Sequence, residues 1–481
     1  MTKLNPKHIR KCVAEYFKWT MFSHTWEGEE PTFQEVNLVD SVQNLDGSPL
    51  HEKLRRFCET AHEGDGRWVW SDTCCIDKTT SAILSQSLTS MYGWYEEAAE
   101  TLVYLADVLS SAELGALSKS RWMTRAWTLQ ELLGARVIRF YTSDWKLYLN
   151  DKHKNHKESP AIKEELALAM GVAPETITSF RPESLGVREK LRLASNRSAT
   201  VEEDIAYSLI GIFSSDIAPR YGLGKAALGQ LLENIVARTG DVTVINWTGK
   251  SLPYNSALPA SLAVYSKTPY HPQPMEVDEL NRCVEQLRAG LEPHATLGLY
   301  YDIIKLPRAR FSNRCLQLPC IVFPVTRIGV QELGDSQGVL YRATVPLLDK
   351  VEFRTADVMP LKRPRKLVFV HPWLHDLCNL DESVSDGGGS EAGSNGDSDD
   401  GTDDTSALAS PESAEPLARV DSSTQALRLI AHLGRRFNAL LLEQQSNKQY
   451  KRVATEHEII VRGILSQMDS KDIQAKVLEI I

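Results

Sequence analysis

What this chain lacks sets its first limits. It has no C-x-x-C pair. Cys12, Cys58, Cys74, Cys75, Cys283, Cys315, Cys320 and Cys378 fall at irregular spacings. Neither a disulfide framework nor a zinc site is therefore expected, and buried thiols in a reducing compartment fit better. No run approaches the ~18–20 apolar residues that a membrane helix needs. The first thirty residues carry Lys3, Lys7, Arg10, Lys11 and Glu15 and no apolar h-region, so no signal peptide is expected. A cytoplasmic location without a membrane span follows. No internal repeat is visible. A basic excess is missing too: 54 Lys and Arg stand against 63 Asp and Glu, for a net charge of −9. Eleven of the acidic residues lie between Asp381 and Leu417, where no basic residue occurs, which leaves 63 − 11 = 52 acidic against 54 basic elsewhere. The near-neutral remainder gives no footprint for nucleic acid.

What is present is the material of several globular units. The 481 residues are 42% hydrophobic and 24% charged, enough for sizeable cores. Trp19 to His24 reads as a buried strand. Ser41 to Gly64 reads as a helix, with Leu50, Leu54, Phe57 and Ala61 at helical spacing. Trp68 to Asp72 is a second strand, leading into Cys74-Cys75-Ile76-Asp77. Ser81 to Ala99 is an amphipathic helix with Leu84, Leu88, Met91 and Tyr95 on one side. Thr101 to Leu105 and Val137 to Tyr141 are two more strands, with a helix over Ser120 to Leu133 between them. Alternating strands and helices predict an α/β domain with a parallel sheet, whose sites form at the carboxyl ends of the strands.

Residues 15–150 are thus read as the α/β core and 151–250 as a helical continuation. In the continuation, Thr200-Val201-Glu202-Glu203 fits a capping box, and Val242 to Ile245 looks strand-like. Residues 251–380 form a β-rich accessory region, with strands expected at Leu299–Leu306, Leu316–Val325, Val339–Leu347 and Leu367–Val370. Residues 381–417, rich in Gly, Ser and Asp, are expected to be a disordered acidic linker. Residues 418–481 are read as a helical tail, with Leu427, Ile430, Leu433, Leu440 and Leu441 in period.

Four blocks carry a family resemblance: KWTMFSHTWEGEEPTF at Lys18–Phe33, WVWSDTCCID at Trp68–Asp77, SRWMTRAWTLQELL at Ser120–Leu133, and KLRLASNRSATVEEDIAYSLIGIF at Lys190–Phe213 followed by Tyr221-Gly222-Leu223-Gly224. In this order they resemble the fungal heterokaryon incompatibility (HET) domain, in the form common among basidiomycetes, over roughly residues 15 to 250. HET domains are in turn similar to TIR domains. The resemblance implies a TIR/flavodoxin-like parallel sheet and a role in non-self recognition and programmed death of fused fungal cells. It also implies a protein partner or self-association as the trigger. Some TIR domains cleave NAD at the nicotinamide–ribose bond with a glutamate in a W-C-x-x-E-L stretch. Trp127 to Leu132 is similar, with Thr128 in place of Cys, which makes Glu131 the catalytic candidate and NAD the implied substrate, with no cofactor required. The sequence departs from the family at Ile83, at Ala199-Thr200-Val201 and at Leu223.

Read alone, the residues keep two uses open. On a continuous helix Glu131 lies about 200° from Leu129, opposite a core stripe of Trp122, Ala126, Leu129 and Leu133 and beside Thr124, Trp127 and Thr128. A carboxylate on that face could stabilise an oxocarbenium-like ribosyl group. It could equally pair with Arg121 or Arg125 and only order the fold. Ser23 and His24 could meet a phosphate or ribose, or belong to the core. Trp26, Trp122 and Trp127 could stack a base or fill the interior. Asp72 and Asp77 could hold a ribose, or cap a helix and bind loop amides. Arg121 and Arg125 could clamp a pyrophosphate or pair with acids. Cys75 has no identifiable histidine partner and reads as a buried thiol. Gly222-x-Gly224 is a poor dinucleotide fingerprint because it follows no strand, and His153-x-x-His156 sits on a lysine-rich, solvated face. A non-catalytic scaffold that assembles a death-signalling complex stands as the alternative to an NAD-cleaving enzyme.

Overall fold

The computed structural model describes residues 12–13, 15–64, 66–272, 275–290, 293–332, 339–355, 359, 366–373, 422–464 and 473–481. The acidic stretch 381–417 lies outside them. The chain divides into two compact units: Met1–Pro269 with Ala309–Leu316 and Ile480–Ile481, and Tyr270–Arg308 with Gln317–Glu479.

The first unit is built on four parallel strands, β1 (Trp19–His24), β2 (Trp68–Ser71), β3 (Glu100–Tyr104) and β4 (Ile138–Tyr141), in the order β2-β1-β3-β4. β1 sends its chain one way to β2 and the strands after β2 lie on its other side. The order therefore reverses between β1 and β3, at the sheet position where open α/β folds bind ligands. Side chains alternate across a strand, and β1 uses both faces. Phe22 packs with Leu54, Phe57 and Ala61 of α1 (Pro49–Glu63). Met21 packs with Leu88, Met91 and Tyr95 of α2 (Ser81–Glu97). Helices thus cover both faces, the arrangement a parallel sheet requires. α1 starts cleanly because Ser48 caps it and Pro49 fills the first turn.

The segment Ser120–Leu133 differs from the sequence reading. It is not one helix but two, α3 (Arg121–Thr124) and α4 (Thr128–Gly134), broken at Arg125, which is extended at φ −78° and ψ 139°. The cause is a distant strand-like contact. Ser198 N donates to Thr124 O and Ala126 N donates to Ser198 O, each at 2.8 Å, making a parallel bridge between Arg125 and Ser198. These two bonds replace helical ones, so local propensity loses to a partner some seventy residues away.

The continuation is helical at Pro160–Met170, Pro174–Ser179, Val187–Ala194, Asp204–Tyr207 and Ala226–Thr239. Two expectations fail there. Val242–Ile245 is a 3₁₀ turn capped by Asp241, not a strand. The capping box at Thr200 does not form: Glu203 itself stands at the N-cap position with no side-chain cap bond. Its carboxylate instead accepts Gly222 N and Gly224 N, each at 2.8 Å. Those amides are therefore taken, consistent with no phosphate loop at Gly222-x-Gly224.

The second unit is a mixed helix and antiparallel-sheet body. Leu367–Pro372 pairs with Arg436–Gln444 on one side and with residues 320–324 on the other. Arg327–Glu332, Val339–Thr344 and Val351–Phe353 form a separate three-stranded sheet. Two corrections apply. Leu299 to Leu306 falls mostly in a helix, Pro293–Ile304, where its apolar residues face a core containing Leu299 and Ile303. Among the described residues the tail is helical only over Ser422–Leu433. It then runs through strands Arg436–Gln444, Tyr450–Arg452, Ile459–Arg462 and Gln474–Ile480. Phe437, Ala439 and Leu441 alternate into the same core, a period of two that the pair Leu440-Leu441 disguised as helical. Among the described residues no helix is long and apolar enough to cross a membrane.

Candidate functional site

The loops after β1 and β2, the broken helix pair and the segment Ser198–Asp204 enclose a cavity of about 650 Å³. Ile76, Leu84, Leu88 and Met91 supply an apolar wall, and Trp26, Trp127 and Tyr221 an aromatic one. Lys78, Arg121 and Arg125 bring three cations, Asp72, Asp204 and Glu131 three acids. A few polar groups in a mostly apolar concavity is the usual makeup of a small-molecule site.

Glu131 is 7% exposed, and that sliver opens onto the cavity. Its Oε2 accepts the hydroxyl of Ser23, which projects from β1 on the face opposite Phe22. Among the described residues no arginine lies within ion-pair distance of it; Arg125 and Arg197 act on it only through space. Burial pushes its acid strength down, and the carboxyl titrates at about 7, with the Ser23 bond opposing the shift and the Asp72 charge adding to it. Arg197, half-buried, donates to Arg125 O and Thr128 Oγ1, each at 2.9 Å.

Trp26 stands at the mouth, 43% exposed, with its indole N–H on Asp72 Oδ2 at 3.1 Å. Lys78 Nζ lies 4.0 Å and Arg125 Cζ 5.1 Å from the centre of its ring. Such cation–π contacts keep both charges beside the opening, where Asp72 acts on Lys78 through space. Arg125 also donates to His24 O at 3.0 Å. Arg121 reaches Glu27 at 3.2 Å and Asp107 at 3.6 Å. Asp204 is held by the Tyr221 hydroxyl at 2.8 Å and by the Trp127 indole, and burial raises its pKa.

The structure therefore brings Trp26, Asp72, Arg121, Arg125, Trp127 and Glu131 to one cavity, with Ser23 directly behind Glu131. It does not bring His24 or Asp77. His24 follows the alternation of β1 to the other face, stacks on Phe22 at 4.2 Å and lies 3.7 Å from Glu30, which also holds Lys53. Asp77 binds Thr79, Thr80 and Gln34 and orders the turn before α2. Trp122 is fully buried against Phe140 and cannot stack a ligand. Lys78, Asp204 and Tyr221 were not singled out from sequence. The only signal for them was the family block that holds the last two. Of the family departures, Ala199, Thr200 and Val201 line the cavity, whereas Ile83 and Leu223 do not.

Two other readings change. Cys75 is exposed rather than buried, and a bond from Cys74 lowers its pKa. His156 is buried, and its Nδ1 accepts Phe140 N at 3.0 Å, so it lies on no solvated face. Among the described residues no group of three or more His, Cys, Asp or Glu could hold a metal.

The model of the family described as heterokaryon incompatibility protein (HET) matches residues 19–118. The vegetative incompatibility protein HET-E-1 of Podospora anserina is 33% identical over 227 residues, which is 45% of this chain. The chain spans only 16% of the length of that relative. No solved structure matches. β1 to β3 thus lie inside the stretch that matches the HET domain, and the aligned relative bears the same designation.

Proposed function

We propose that this chain is a heterokaryon incompatibility factor whose HET domain hydrolyses NAD at the nicotinamide–ribose bond, with Glu131 as the catalytic carboxylate. The observation that carries this reading is the placement of Glu131: a buried acid at the floor of a cavity whose mouth holds Lys78, Arg121 and Arg125 beside Trp26. The cations suit a pyrophosphate, and the aromatic walls suit a base. As the glycosidic bond breaks, positive charge builds on the ribose. A carboxylate in a dry site stabilises that charge far better than water does. With a pKa of about 7, Glu131 is substantially ionised at neutral pH and can serve. The strand order β2-β1-β3-β4 agrees with a TIR/flavodoxin-like sheet and supports the analogy. The incompatibility role is supported by the family match and by the name of the Podospora relative. Hydrolysis to nicotinamide and ADP-ribose would deplete NAD and arrest or kill the fused cell.

The test incubates purified full-length protein with NAD and follows nicotinamide. Glu131→Gln should lower release by at least about a hundredfold, the usual effect of removing a residue that stabilises transition-state charge. Equal release from both proteins rejects the role of Glu131. No release from either, with or without crowding into oligomers, leaves the HET domain as a non-catalytic assembly module.

A further inference from the structure

One oxygen of Glu131, Oε2, ends a defined hydrogen-bond chain. Oε2 receives the Ser23 hydroxyl. The same hydroxyl oxygen lies 2.7 Å from Trp122 Nε1. An indole N–H can only donate. Ser23 must therefore accept from Trp122, and its single proton is left for Glu131. With the carboxylate ionised, the run goes from Trp122 through Ser23 to Glu131, and all three residues are buried. The other groups facing the carboxyl are Tyr95 from α2, Asp72 after β2, Arg125 between α3 and α4, and Arg197. The Tyr95 hydroxyl lies 3.2 Å from Phe22 O and also bonds the Glu131 carboxyl.

We propose that Ser23 and Trp122 are positioning residues for Glu131: the Trp122 indole fixes the Ser23 hydroxyl, whose hydrogen bond holds Oε2 of the ionised carboxylate in place. The consequence for turnover rests on the NAD-cleaving reading; the pinning itself does not. The indole, fully buried and useless for stacking a ligand, thereby acquires a role through its N–H.

Isotope-edited infrared spectra of the full chain, labelled at glutamate carboxyls, test this. Glu131→Gln identifies the Glu131 band. In Ser23→Ala the carboxylate loses a donor, so its midpoint should rise by about one pH unit, a tenfold gain in proton affinity. Ser23→Thr should restore the wild-type midpoint. Trp122→Phe frees the hydroxyl to turn away and should shift the midpoint in the same direction, by less. If the protein cleaves NAD, the acidic limb of the Ser23→Ala profile moves up with the infrared midpoint, and kcat falls about tenfold at little-changed KM. An unmoved midpoint in Ser23→Ala, or equal shifts in Ser23→Ala and Ser23→Thr, overturns the proposal. Should Trp122→Phe not fold, the two Ser23 variants decide alone. Absence of nicotinamide release would sink the enzymatic reading while the infrared result still decides the pinning.

Discussion

Gly211 lies flat against Tyr92 of α2: a Cβ on Gly211 would stand 2.1 Å from the Cβ of Tyr92. This contact fastens the helical continuation to the α/β sheet layer. Gly211→Ala must push the two apart, and backbone near the helix has little room to give. A loss of about 2–3 kcal/mol is expected, at the upper end for overpacking. A lower urea midpoint at unchanged slope would register it. A neutral result would mean that the continuation can slide on α2.

Glu131 makes stability depend on pH. Its pKa is raised from 4.5 to about 7 in the folded chain. The folded state thus holds the proton more tightly, and the contribution is full below 4.5 and lost as pH rises through 7. The whole step is worth roughly 3 kcal/mol. Glu131→Gln stays neutral, so its melting temperature should fall less than that of wild type between pH 5 and pH 8. Parallel curves would show that Glu131 does not titrate there.

The pair Glu30–Lys53 behaves in the opposite sense. Burial works to raise the Glu30 pKa, but His24 and Lys53 outweigh it and hold the carboxyl down at about 2. Its contribution is present above 4.5 and lost as pH falls through 2. Lys53→Met strands a buried charge and should cost about 3–5 kcal/mol. Lys53→Met with Glu30→Gln should cost clearly less, measured by denaturant unfolding at pH 7.

Asp72 and Asp77 separate function from local order. Asp77→Ala loses bonds to Thr79, Thr80 and Gln34 outside the cavity, and NAD turnover should stay within about twofold of wild type. Asp72→Ala releases Trp26 from its bond at the cavity mouth and should raise KM severalfold. Matching effects of the two substitutions on KM would contradict this division.

Cys75 should react first with iodoacetamide. It is exposed and its thiolate is favoured by Cys74, whereas burial pushes the thiols of Cys58 and Cys320 up, to about 11 in the case of Cys58. Mass spectrometry of briefly treated native protein would show whether labelling begins there.

How much of this was legible depended on how local its cause was. The strands Trp19–His24 and Trp68–Ser71 announce themselves in short apolar runs bounded by polar residues. The helix Ser81–Glu97 does so through Leu88, Met91 and Tyr95. Trp122 and Leu129 were correctly placed in the core, and Glu131 beside Trp127. The break at Arg125 was invisible, because Ser198 causes it from far along the chain. The same bridge carries Asp204 into the cavity, so that residue was missed with it. His24 was misplaced for a simpler reason. It neighbours Ser23 in sequence, and a strand sends neighbours to opposite faces. In the second unit, the helix that ends at Leu433 and the strand that begins at Arg436 share leucine-rich composition, and the partner strands Leu367–Pro372, Tyr450–Arg452 and Ile459–Arg462 distinguish them.

The bridge between Arg125 and Ser198 also bears on how such a domain can be inherited or recombined. Of the side chains around the cavity, those from Thr25 to Met91 lie within residues 19–118, while Arg121 to Glu131 and Ser198 to Tyr221 lie beyond. A chimaera that exchanged residues 19–118 alone would join half of the cavity lining to a foreign other half. The smallest portable module runs from β1 to Tyr221, and crossovers inside that stretch would be expected to mix incompatible walls rather than swap specificities.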